Sequence, residues 1–188
     1  MTRTVRTLLV LCALAIHPLA QATPPAESWP STECSDSDYW LAFAEVEMCF
    51  ERSDIRRLEH SNLPSPTVTM QLHDGEQTTD LTFSRLDDRM LTGGLHEHLG
   101  KSVSETFELL RQSNGGEEHD LAREVMDVDR NATVRVYENG QSRAYVLLRE
   151  SGRYSSIFML HTDRDGGIKI GGELDQQLAE RLLSAMRP

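Results

Sequence analysis

The chain has 188 residues, with 19 lysines and arginines against 30 aspartates and glutamates, for a formal net charge of −11. So acidic a chain argues against nucleic acid and anionic lipid as partners and permits a cationic protein. Past the N-terminus no apolar stretch approaches the roughly 20 residues a membrane-crossing helix needs.

The first segment, Met1 to Thr7, carries Arg3 and Arg6 and no acid. An apolar run from Leu8 to Ile16 follows, then His17-Pro18 and Leu19-Ala20-Gln21-Ala22. Ala20 and Ala22 form the small-x-small pattern a signal peptidase accepts, so residues 1–22 are expected to be a signal peptide cleaved after Ala22. The mature chain is then periplasmic or secreted. Cleavage removes two arginines, Cys12 and no acid, and leaves a net charge of −13. The remainder, about 166 residues, is the size of one domain. The organisation expected is a flexible leader over 23–36, rich in proline and small polar residues, and a single domain over 37–188. Cys34 and Cys49 survive as an even pair in an exported chain, so one disulfide is expected.

Tyr39, Phe43, Val46 and Phe50 recur at spacings of four, three and four, which predicts a helix. Bridging Cys34 to Cys49 within about 7 Å would start that helix near Tyr39 or Trp40, with the preceding residues folded back along it. Ser61-Asn62-Leu63-Pro64-Ser65-Pro66 breaks the chain. Val68, Met70 and Leu72 alternate with polar residues, Asp74-Gly75-Glu76 turns, and Leu81 and Phe83 continue the alternation, which predicts a hairpin. After Gly93-Gly94, the residues Leu95, Leu99, Val103, Phe107 and Leu110 predict one helix, stopped at Asn114-Gly115-Gly116. A short helix is expected near Glu117 to Met126.

The C-terminal third reads as a four-strand meander. Val134 and Val136 alternate, Asn139-Gly140 is a strong hairpin signal, and Ala144 to Leu148 forms the second strand. Ser151-Gly152 turns the chain into Ile157 to Leu160, and Asp165-Gly166-Gly167 turns it into Ile168 and Ile170. A last helix carries Leu174, Leu178, Leu182 and Leu183 and covers one face. Strands and helices are segregated, which predicts an α+β fold with an antiparallel meander packed against a few helices. The two hairpin regions could join in one sheet.

Few residues carry chemistry. Asp127, Asp129, Asn131 and Glu138 have the oxygen spacing of a calcium loop, but Ala132 replaces the sharp-turn glycine and Glu138 belongs to a hairpin, so a polar connecting loop is the stronger reading. His96 and His98 flank Glu97, and on a helix they point about 200° apart, too far to share a zinc ion. His60, His73, His119 and His161 are scattered. There is no G-x-S-x-G elbow, and bridged cysteines cannot act as nucleophiles. No cofactor or catalytic residue is expected. Asn131-Ala132-Thr133 matches a glycosylation sequon without distinguishing the kind of cell it comes from.

The remaining candidate is Ser151-Gly152-Arg153-Tyr154, expected at a hairpin tip, where a rigid turn can present side chains to a partner. It resembles the S-G-x-Y loop of the periplasmic inhibitors of invertebrate-type lysozyme. That resemblance implies that Ser151 and Tyr154 would enter the cleft of a cationic lysozyme. From Val134 to Leu183, the strand order followed by Ile170-Gly171-Gly172-Glu173-Leu174-Asp175 and a leucine-bearing helix is similar to the tail of a family of small exported bacterial proteins of unknown function. The function expected is an exported, soluble, non-enzymatic envelope protein that binds another macromolecule.

Overall fold

A computed structural model describes residues 24–44, 46–62, 65–74, 77–112, 116–128, 131–150 and 154–187. The expected signal peptide, Leu63-Pro64, Gly75-Glu76, Asn114-Gly115, Asp129 and Ser151-Gly152-Arg153 lie outside them. The elements are β1 (Glu27–Ser28), β2 (Tyr39–Phe43), β3 (Val46–Phe50), β4 (Ile55–Ser61), β5 (Thr67–Asp74), β6 (Gln77–Leu86), α1 (Asp88–Thr92), α2 (Leu95–Leu99), α3 (Val103–Leu109), α4 (Glu117–Val125), β7 (Thr133–Asn139), β8 (Ser142–Leu148), β9 (Ser155–His161), β10 (Gly167–Gly172), α5 (Gln176–Ser184) and β11 (Met186–Arg187). The fold is α+β, as the sequence pattern predicts.

Eight strands form one sheet in the order β1-β7-β8-β9-β10-β6-β5-β4. All its neighbours are antiparallel except the short parallel pair β1 and β7. The meander β7 to β10 is the one the sequence predicts. The β5–β6 hairpin joins it through β10, because Ile170 pairs with Phe83. Side chains alternate across a strand, so each strand serves both faces. On one face Met70, Leu81, Phe83, Val146, Ile157 and Ile170 pack against α5 and against a second sheet of order β11-β3-β2. On the other, Tyr145, Leu147, Phe158 and Leu160 pack beneath α1 to α4 with Phe107 and Leu110. Burying side chains of this size stabilises the fold by about 1.5–3 kcal/mol each.

Two expectations are corrected. Tyr39 to Phe50 is a hairpin and not a helix: β2 and β3 pair with Tyr39 opposite Phe50, Leu41 opposite Met48 and Phe43 opposite Val46. These six residues line one face, and the reversal carries Ala44 at φ 46°. A turn between two strands shifts the period of two by one residue, so the apolar positions mimic a helical stripe. The reversal also brings Cys49 back beside Trp40, and the Cys34–Cys49 disulfide closes with its Cα atoms 6.0 Å apart. The single helix expected from Leu95 to Leu110 is two. Gly100, at φ 63°, ends α2. Ser102 then caps α3, accepting the Glu105 N–H while the Glu105 carboxylate accepts the Ser102 N–H at 2.8 Å. Within the leader segment, β1 pairs with β7, and Trp29 Nε1 donates to the Leu183 carbonyl at 2.8 Å.

Candidate functional site

The second face of the large sheet changes character between β9 and β10. Cross-strand register defines its rows. One runs Ser61, Thr67, Ser84, Lys169, Phe158, Tyr145 and Val136. The next runs Glu59, Thr69, Thr82, Gly171, Ser156, Leu147 and Val134. The β7 to β9 side of these rows is mostly apolar and lies beneath the helices. The β10, β6, β5 and β4 side is polar, and from these four strands the apolar cluster under the helices takes only Leu86. Thr67, Thr69, Gln71, Thr82 and Ser84 are half-buried there, between exposed Arg57, Glu59 and Asp80. Antiparallel sheets tolerate one solvated face, and alternation of this kind is how the sequence encodes it.

Tyr154 lies at the border of this polar half. It immediately precedes β9, and its ring folds back over β10, where a Cβ on residue 171 would collide with the ring. Gly171 is thus the floor of a slot that only glycine provides. Burial pushes the Tyr154 hydroxyl above the ordinary tyrosine value, and the neighbouring Thr82 side chain offsets this in part. The residue nevertheless remains 51 % exposed. Of the four binding residues the sequence suggests, only Tyr154 lies within the described residues.

Lys169 shares the face, two residues from Gly171 on the same strand. Ile168 and Ile170 on either side of it point into the opposite core. Its Nζ sits 5.4 Å from the Phe158 ring centroid. Burial holds the ammonium below the ordinary lysine value, the Arg149 charge adds to this, and Asp127 partly offsets it. Arg149 is bound to Asp127 through the carboxylate at 2.7 Å and the carbonyl.

That ion pair bears on the calcium reading. Asp127 is occupied by Arg149, and Glu138 receives Arg143 at 3.0 Å. Between them β7 runs from Thr133, which places Glu138 roughly 16 Å farther along the strand. Asp127, Asn131 and Glu138 are not brought together, and Asp129 lies outside the described residues. No metal-ligating group of three is found among the described residues. His96 and His98 do sit on a helix, α2. His98 is exposed, while His96 Nδ1 lies 2.7 Å from the Thr92 hydroxyl. Thr92 already donates to the Asp88 carbonyl, so His96 is the donor of the two.

A second concavity, a cleft of about 400 Å³, opens at the end of β8 and β9, with Asp88, His96, Ser104, Glu138, Arg143 and His161 in its wall. Most of its polar groups are already paired. Glu108 accepts from Tyr145 at 2.9 Å, Arg143 at 3.0 Å and Arg111 at 2.7 Å, which fastens α3 to β8.

Sequence reading missed Lys169, Gly171 and the threonine rows. The signal was the complement of the apolar alternation: Thr67, Thr69 and Gln71 between Val68, Met70 and Leu72, and Lys169 between two isoleucines. Compared with protein-family models, with curated proteins and with solved structures, the chain matches none.

Proposed function

We propose that this is an exported, non-enzymatic protein of the cell envelope or its surroundings, which binds another macromolecule through the open polar half of its large sheet. One observation carries the reading: Tyr154 is held against Gly171 on that face with half its surface exposed. A rigid aromatic ring pays little conformational entropy on binding and offers a large contact area, which is why such rings dominate interfaces. Export is supported by the charge, apolar run and small residues at the N-terminus, together with the disulfide. No helix among the described residues is long and apolar enough to cross a membrane.

The test is sedimentation of the mature protein with insoluble envelope material, meaning purified cell walls and outer-membrane vesicles. The protein is expected to pellet, and Tyr154→Ala to stay in solution. A wild-type protein that remains in the supernatant with every fraction would overturn the reading. In parallel, mass spectrometry of the native product is expected to give residue 23 as the N-terminus and no alkylatable thiol.

A further inference from the structure

We infer that the macromolecule recognised by this face is an acidic glycan, with Lys169 taking its oxyanion; the inference rests on the binding face proposed above. Among the described residues the Lys169 side chain forms no ion pair within 4 Å and no hydrogen bond, and its Nζ lies over the Phe158 ring. A half-buried cation with no ion pair among the described residues is costly, and Arg149 disfavours it further while Asp127 offsets this only in part. Lys169, Arg149 and Asp127 together carry one net positive charge, within a chain of net charge −11. An oxyanion delivered from outside supplies the missing partner.

The surroundings indicate what carries it. Lys169 and Gly171 are two strand residues apart, so Lys169 and the slot of the Tyr154 ring are separated by roughly 7 Å. Ser84 and Thr82 lie directly across from these two positions, and Thr67 and Thr69 come next. A sugar ring stacked on Tyr154 would meet hydroxyls at its edge and could place an acid substituent at Lys169. An anionic peptide would need apolar pockets for its other side chains, and the exposed half of this face has a floor of threonine, serine and glutamine instead, flanked by Arg57, Glu59 and Asp80.

Titration calorimetry with four probes tests this: a polyuronate, a polyol phosphate polymer, a neutral glucan of matched length, and polyglutamate. Tighter binding of the polyuronate identifies a carboxylate, and of the polyol phosphate a phosphate. Either acidic glycan should bind about tenfold or more tightly than the glucan, lose that margin in Lys169→Met, and keep most of it in Lys169→Arg. The melting temperature of Lys169→Met, expected to be no lower than wild type, separates loss of binding from loss of folding. Equal affinity for acidic and neutral glycans, or an unchanged Lys169→Met, overturns the inference and leaves the face standing if Tyr154→Ala still abolishes binding. Preference for polyglutamate overturns it in favour of a protein partner. Binding of no probe overturns it as well, while sedimentation with envelope material decides the broader reading separately.

Discussion

Gly171 and Lys169 show opposite uses of single residues on one strand. At Gly171 the absence of a Cβ creates the slot for Tyr154. Gly171→Ala is expected to leave β10 paired, since alanine tolerates strand geometry, but to lift the ring off the sheet. Spectrophotometric titration would then show one tyrosine returning toward the ordinary value near 10, because the burial that raises it is gone. An unaltered titration would mean the ring does not depend on that slot. Lys169 is the reverse case, a side chain the fold would be more stable without. Replacing a half-buried ammonium that has no ion pair among the described residues by methionine keeps the stem that packs on Phe158 and removes the desolvation cost. Lys169→Met is therefore expected to gain about 1 kcal/mol at pH 7, read as an upward shift in melting temperature. Residues that cost stability and persist at an open surface are where function is to be sought.

At the scale of elements, the small sheet depends on one covalent tie and several weak ones. β3 pairs along its length with β2 and over two residues with β11, while Cys34 anchors the preceding segment to Cys49. Closing a loop of 15 residues removes about 3 kcal/mol of unfolded-state entropy in the chain model. Cys34→Ala with Cys49→Ala should lower denaturation free energy by about that amount. It should also raise hydrogen exchange across Cys34 to Phe50 before it does so in β8 and β9. The capping box of α3 is a smaller test: Ser102→Ala removes the acceptor for the Glu105 N–H and is expected to cost about 1 kcal/mol.

These elements also mark where the sequence is readable. The meander was legible because Asn139-Gly140 and Asp165-Gly166-Gly167 punctuate strands whose apolar residues alternate. The β2–β3 hairpin was not, because its turn has no glycine or proline and its phase shift reproduces helical spacing. The break before α3 left a signal in Ser102 and Glu105, but the apolar stripe runs through it and conceals it. β4 carries Arg56, Arg57, Glu59 and His60, a composition that protects a sheet edge and gives little apolar pattern to detect. Of the candidate site, Tyr154 was singled out in the sequence by its turn, whereas Lys169 and the threonine rows gain meaning only once register places them on one face.

At the scale of the whole molecule, charge and burial set the response to pH, and opposite signs meet above neutrality. Tyr137, Tyr145 and Tyr154 are all pushed above the ordinary tyrosine value, each chiefly by burial. A group raised in the folded state contributes stability that is complete below its unfolded value, near 10, and is lost as pH rises past it. Lys169 is lowered, so folding gains as this lysine gives up its proton below its unfolded value near 10.5. On the acid side Glu105 and Glu180 are lowered, Glu105 mainly by the Ser102 N–H and Glu180 mainly by the Gln176 amide. Their contribution is complete above the ordinary carboxylate value near 4.5 and disappears as pH falls below it. Denaturant melts from pH 3 to 11 should therefore show loss at both ends, with a small rise before the alkaline fall. Lys169→Met should erase that rise. Tyr145→Phe should soften the alkaline fall while costing about 1 kcal/mol at pH 7 for the bond to Glu108. An alkaline limb identical in Tyr145→Phe and wild type would show that the buried tyrosines do not set it.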